Sequence, residues 1–218
     1  MIEENENLQV NEIESAREIA QTAQSLFRRG YSFGTAGNIS VRVGERILVS
    51  PTNSSFEDLT EHSLSVVDLT GKFLEGPAPS KETHFHIALY EQRPEIRAVV
   101  HLHSTYATAV SCLPVTDPND ALPVFTPYFA MRIPCLPVVP YLRPGHRGLA
   151  DSVRQAARLS PAMLLKNHGP ITSGKTLREA SALAEELEEQ AKLYFLLRGS
   201  GEVLTSEQIA ELRETSRS

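Results

Sequence analysis

The sequence predicts an α/β fold in which a mostly antiparallel sheet is covered by helices on its two sides. Three observations carry this. Residues 10–29 and 176–197 each repeat apolar side chains every three or four positions, as helices with one buried face do. Between them, alternating segments pair across two-residue turns. Ile39-Ser-Val-Arg-Val43 meets Arg46-Ile-Leu-Val-Ser50 around Gly44-Glu45, and Leu64-Ser-Val-Val-Asp-Leu69 meets Lys72-Phe-Leu74 around Thr70-Gly71. Finally, two short apolar runs, Ala98 to Val100 and Ala162 to Leu165, read as buried strands that lead into histidines.

The first helix carries Ile13, Ala16, Ile19, Ala20, Ala23, Leu26 and Phe27 on one face and closes at Gly30. Small polar loops follow at Gly34-Thr-Ala-Gly37-Asn38, Pro51-Thr-Asn-Ser-Ser55 and Gly76-Pro-Ala-Pro-Ser80. The last of these introduces a helix from Lys81 to about Gln92, with Ser80 as its N-cap. A helix from about Tyr106 to Cys112 comes after the first histidine strand. Residues 114–144 hold most of the 14 prolines and should form short strands, such as Leu136-Pro-Val-Val139, and turns rather than helix. Helices are expected again over 148–159, 176–197 and 206–213, with a last strand at Ile171-Thr-Ser173.

At 218 residues, 41% of them hydrophobic, the chain suits one globular domain with a sizeable core. Residues 1–9 are expected as a polar tail and 199–218 as a C-terminal extension with a short helix. A net charge of -6 without a basic stripe argues against nucleic acid as a partner. No apolar run reaches the roughly 18 residues of a membrane span, and the acidic start is unlike a secretory leader. Cys112 and Cys135 lack metal-type spacing, so a reduced, cytoplasmic setting is expected.

The chemistry centres on His101-Leu-His103. Side chains two apart on an extended chain project the same way, so two imidazoles end one strand on one face. His168, in Lys166-Asn-His-Gly169, ends another. Three neutral imidazoles suit Zn²⁺, and three protein ligands with one position open is the catalytic arrangement. A His-x-His on its own is equally two polar residues at a strand end.

Glu82 falls in the first helical turn after Ser80. A carboxylate there is favoured by the helix dipole whatever its function. Beside a metal it can also ligate the ion, swing off as substrate chelates, and move a proton. His84 and His86 share the helix but face apart. Both read as structural or intersubunit residues, with His86 turned inward. The three loops offer Asn38, Thr52, Asn53 and Ser80 to a phosphate, although such residues are also ordinary turn formers. Lys81 either supplies charge to a phosphate or carboxylate or is a solvated lysine. Tyr128, among prolines, is either a proton donor or an amphipathic interface residue.

Taken in order, Gly34-Thr-Ala-Gly-Asn38, Ser50-Pro-Thr-Asn53, Pro79-Ser-Lys-Glu82, His101-Leu-His103 and Asn167-His-Gly169 resemble the class II aldolase/adducin family over about residues 10–198. The resemblance implies a three-layer α/β/α domain and a homotetramer with active sites between subunits. It implies one zinc, or another divalent metal such as Mn²⁺ or Co²⁺, held by His101, His103 and His168. Glu82 is then the acid/base and a resting ligand. Asn38, Thr52, Asn53, Ser80 and Lys81 line the phosphate pocket, and Tyr128 reaches a neighbour's site. Within the family, Pro51 to Ser55, Pro79 to Glu82 and Thr126-Pro-Tyr-Phe-Ala-Met131 most closely resemble decarboxylases of 3-oxo-tetronate 4-phosphates. Fuculose-phosphate aldolases are similar but have serine at the place of Lys81, and ribulose-phosphate epimerases have aspartate at that of Glu82. Adducin heads keep the fold without the metal set. The expected reaction is loss of CO₂ from a four-carbon sugar-acid phosphate through a metal-stabilised enediolate, giving dihydroxyacetone phosphate. A fuculose-type aldolase and a non-enzymatic adducin-like assembly module are the alternatives.

Overall fold

The computed structural model describes residues 2–215. Met1 and residues 216–218, the outer ends of the expected tail and extension, lie outside them. Helix α1 (Ile2–Arg28) opens the chain, so the expected polar tail is helical from Ile2 onward. The segment Ile2-Glu-Glu-Asn-Glu-Asn7 has no glycine or proline to stop a helix, and acidic residues suit its first turns. The helix ends at Gly30, where the Tyr31 N–H reaches back to the Leu26 carbonyl at 2.9 Å.

Two hairpins follow, β1 (Asn38–Val43) with β2 (Arg46–Val49) and β3 (Ser65–Asp68) with β4 (Phe73–Glu75), each in the antiparallel pairing the alternation predicts. Then come α2 (Thr83–Gln92), β5 (Ala98–His101), α3 (Thr105–Cys112) and α4 (Pro127–Arg132). The chain continues through β6 (Val138–Val139), α5 (Gly148–Ala156), β7 (Ala162–Leu165), β8 (Gly169–Gly174), α6 (Leu177–Leu197) and α7 (Ser206–Thr215). The eight strands form one sheet in the order β4-β3-β2-β1-β5-β8-β7-β6, antiparallel except where β6 lies parallel to β7.

The pleat sends alternate side chains to two helical layers. From β1 and β5, Ile39, Val41, Ala98 and Val100 pack on Ile19, Ala23 and Leu26 of α1 and on Ala180 and Ala184 of α6. Val99, with Ile47, Val67 and Met163, faces the other way onto Phe85 and Leu89 of α2 and Val153 of α5. His101 is in step with Val99 and so emerges on the α2 side, where the Phe85 ring meets it edge-on at 5.4 Å. Farther along α6, Leu183, Leu187 and Ala191 close a third cluster with Ala107, Phe129 and Leu164.

Three further expectations need correcting. The proline-rich segment does contain a helix, α4, and Tyr128 lies on it. Pro127 opens that helix, where its fixed φ and missing N–H do no harm, and the Thr126 hydroxyl accepts from Phe129 N–H. Strand β6 is only two residues long, because Pro137 and Pro140 bracket it and cannot donate to a ladder. Helix α2 begins at Thr83, with Glu82 itself at the N-cap position rather than Ser80. Among the described residues, no helix is long and apolar enough to cross a membrane.

Helix α3, which follows the first two histidines, is tied to its neighbour α6 by Glu188. Its buried carboxylate accepts the Tyr106 and Ala107 N–H groups at the start of α3, both at 2.8 Å. Glu188→Ala leaves both donors unpaired and should lower stability by about 2 kcal/mol, whereas Glu188→Gln should recover part of the loss. Urea unfolding at fixed protein concentration measures it, and an unchanged midpoint in the alanine variant would show the tie to be dispensable.

Candidate active site

Strand β5 ends at His101, and the turn that follows carries His103. The β7–β8 turn carries His168. That turn is held by the far end of α3, where the Ser111 carbonyl accepts Asn167 N–H at 3.1 Å and the Ser111 hydroxyl accepts His168 N–H at 3.2 Å. Asn167 has φ 55, a conformation asparagine tolerates better than most residues. As a result the three imidazoles converge, with one ligand nitrogen of each within 4.8 Å of the others. His101 and His103 bring their Nε2 atoms to 3.1 Å.

The sequence around this cluster leaves little room. A Cβ on Gly37, whose φ is +86, would sit 2.7 Å from the His101 carbonyl oxygen. One on Gly169 would sit 2.3 Å from the Leu102 carbonyl oxygen. Both glycines are therefore required by close approach of backbone to backbone.

The electrostatics favour neutral imidazoles. Burial holds His101 well below the ordinary histidine value and lowers His103 to about 4, with the neighbouring imidazoles adding to both shifts. His168 is lowered by burial and partly restored by Glu82. His101 Nδ1–H donates to the Pro170 carbonyl at 2.9 Å, so its Nε2 lone pair faces the cluster. Glu82 completes the group. Its Oε2 lies 3.5 Å from His101 Nε2 and its Oε1 3.5 Å from His168 Nε2. Oε2 accepts Asn38 Nδ2–H at 2.8 Å, whereas Oε1 is buried without a hydrogen-bond partner. Three neutral nitrogen donors beside an orphaned carboxylate oxygen fit a divalent cation such as zinc.

A cavity of about 200 Å³ opens over this group, lined by Asn38, Thr52, Asn53, Ser80, Lys81, Glu82, His103 and His168. Two of the small polar loops are sewn together beside it. Thr52 N–H donates to the Ala78 carbonyl at 3.0 Å, and Ser80 N–H to the Ser50 carbonyl at 3.3 Å. The Ser80 hydroxyl accepts Glu82 N–H at 3.2 Å, which leaves its own hydrogen for a ligand.

Nearly every site residue expected from sequence is thus brought together. Asn38 is present, but its side chain is turned to Glu82 and His86 rather than to the open cavity. Tyr128 is not brought in: it is 62% exposed on α4 and does not line this cavity. The sequence reading did not single out Thr35 and Pro144, which also line it; Thr35 sits within the marked loop Gly34-Thr-Ala-Gly37-Asn38, whereas nothing around Pro144 marked it. His84 is half-buried and bonds back to the Lys81 carbonyl at 2.9 Å, whereas His86 is fully buried, turned inward as expected.

Residues 17–195 match the class II aldolase and adducin N-terminal domain. A 3-oxo-tetronate 4-phosphate decarboxylase from Haemophilus influenzae is 48% identical over 182 residues, covering 83% of this chain and 87% of that protein. An L-fuculose phosphate aldolase from Escherichia coli is 38% identical over 206 residues, covering 91% and 92%. Among solved structures, YgbL from Escherichia coli superposes with a TM-score of 0.90 at 44% identity, covering 93% of this chain and 99% of that one.

The neutral imidazoles carry a pH signature. Folded-state values depressed from 6.5, to about 4 for His103, mean that the folded protein binds fewer protons than the unfolded chain at mild acidity. In the presence of a chelator, stability should be level above pH 6.5 and fall steadily as pH drops toward 4. Urea midpoints across that range test this, and a flat profile would contradict it.

Proposed function

The chain belongs to the class II aldolase and adducin family, and on that premise we propose that it is a cytoplasmic, metal-dependent carboxy-lyase. Its substrate is a 3-oxo-tetronate 4-phosphate, and its products are dihydroxyacetone phosphate and CO₂. The observation that carries this is the meeting of one carboxyl group and three neutral imidazoles under a cavity lined by small polar loops. The higher identity to the decarboxylase than to the aldolase favours CO₂ over an aldehyde as the leaving fragment.

In this reading His101, His103 and His168 hold one zinc or similar ion per chain, with Glu82 as a displaceable fourth partner. Lewis acidity toward the substrate's ketone and hydroxyl oxygens is what such an ion supplies when bound. The chain's own residues do the rest. Thr52, Asn53 and Ser80 receive the phosphate through hydroxyl, amide and backbone donors. Lys81, exposed at the cavity edge, pairs with the phosphate or the carboxylate. The C1–C2 bond breaks, CO₂ leaves, and the electron pair left at C2 takes a proton. Glu82 Oε1 is the group positioned to deliver it; Tyr128 of a neighbouring subunit in a homotetramer is the other candidate.

Two outcomes test this. Purified zinc-loaded protein should release CO₂ and dihydroxyacetone phosphate from 3-oxo-tetronate 4-phosphate and should not cleave fuculose 1-phosphate comparably. Glu82→Gln should retain metal and lose about 10² to 10⁴-fold in turnover, the usual loss for an acid/base group. Preferred cleavage of the sugar phosphate would make the protein an aldolase, and inertness of the metal-loaded protein toward both would favour an assembly module. For the shared site, Tyr128→Phe subunits mixed with Glu82→Gln subunits should regain activity above either parent. Mixed assemblies no better than the parents would remove Tyr128 from the mechanism.

A further inference from the structure

Behind Glu82 runs a chain of buried polar side chains contributed alternately by β1 and α2. Asn38 Nδ2–H donates to Glu82 Oε2 at 2.8 Å, and Asn38 Oδ1 lies 2.5 Å from His86 Nε2. His86 Nδ1 lies 2.7 Å from the Ser40 hydroxyl, which lies 2.7 Å from the Tyr90 hydroxyl. Asn38 and Ser40 are two apart on a strand, and His86 and Tyr90 four apart on a helix, so each pair shares a face. All four are buried.

The charge at one end fixes every proton along this chain. An ionised carboxylate only accepts, so the Asn38 amide must turn its NH₂ to Glu82 and its oxygen to His86. His86 must then carry its hydrogen on Nε2. In a neutral imidazole the other nitrogen accepts, so Ser40 donates to Nδ1, and the Ser40 oxygen receives the Tyr90 hydrogen. The imidazole is neutral because burial lowers its pKa to about 3. A reversed amide would set oxygen against carboxylate and NH₂ against N–H, two repulsive contacts without solvent to relieve them.

We propose that His86, held in the Nε2–H tautomer between the Asn38 oxygen and the Ser40 hydroxyl, is a positioning residue: it keeps the Asn38 amide in the orientation that pins Glu82 Oε2 and leaves Oε1 as the oxygen that carries the proton. The inference rests on the acid/base role proposed for Glu82. Asn38 can donate to Oε2 in either protonation state of the carboxyl group, so the proton is confined to Oε1, the oxygen beside His168.

The test pairs a spectroscopic reading with kinetics. In zinc-loaded protein labelled with ¹⁵N-histidine, the His86 ring should show protonated Nε2 and bare Nδ1. His86→Gln places an amide nitrogen where Nε2 stood and should keep kcat within a few-fold of wild type. His86→Leu should lower kcat by about 10 to 100-fold with KM little changed, and should add no further loss in a Glu82→Gln background. Should the leucine variant not fold, Ser40→Ala serves in its place, expected to admit the second tautomer and to lower kcat. A ring protonated on Nδ1 overturns the proposal, as do losses that multiply with Glu82→Gln, a glutamine variant as impaired as leucine, or full kcat in Ser40→Ala with both tautomers present. Wild-type protein inert toward 3-oxo-tetronate 4-phosphate would sink the functional reading instead. The ring spectrum would then decide the inference.

Discussion

The site depends on one tight passage of backbone. The segment His101-Leu102-His103 is gripped from two sides, by Gly37 against the His101 carbonyl and by Gly169 against the Leu102 carbonyl. Neither contact admits a Cβ, so the ends of β1, β5 and β8 lie closer together than side chains would allow. Pro170 uses this closeness twice. Its carbonyl accepts Leu102 N–H at 3.2 Å and the His101 ring Nδ1–H at 2.9 Å. The same approach that brings the strands together also fixes which nitrogen of His101 faces inward.

Burial then sets the charge state. Imidazoles packed within hydrogen-bonding distance of one another cannot share space as cations, and desolvation pushes them to the neutral form before mutual repulsion is counted. Neutral nitrogens with lone pairs turned inward are poor company for each other and good company for a cation. Among the described residues, Glu82 is the carboxyl group that reaches His101 and His168. It is available because the turn before α2 is capped without it. The Ser80 hydroxyl takes the Glu82 N–H, and the Glu82 side chain makes no capping bond.

Much of this was legible in the sequence where a local rule had no competitor. The paired turns at Gly44-Glu45 and Thr70-Gly71 marked the hairpins, the apolar stripe of residues 177–195 marked α6, and the step of two between His101 and His103 marked their common direction. Expectations failed where two local rules opposed each other. Proline argued against helix over residues 114–144, yet at the first helical position Pro127 favours one. Polarity argued for a tail at residues 1–9, although nothing there breaks a helix. Asn38 looked like a free loop residue because its partners are 44 and 48 positions away. Such long-range pairing leaves no period in the sequence, and the weak amphipathicity of α2, buried at Phe85, His86, Leu89 and Tyr90 alike, hides which of its faces matters.

The withdrawal of Asn38 has a further consequence for recognition. With that amide committed to Glu82 and His86, the phosphate end of the proposed substrate falls to the two sewn loops, and these are joined to the proposed acid/base group through Ser80. One oxygen of Ser80 faces the cavity and accepts Glu82 N–H, while its carbonyl accepts Thr83 N–H at 3.1 Å and the Thr83 hydroxyl at 2.7 Å. A phosphate seated on the Ser80 hydroxyl is therefore registered against the turn that carries the carboxylate, with no flexible segment between them. Such rigid registration suits a reaction in which the proton must arrive at one carbon of a short chain.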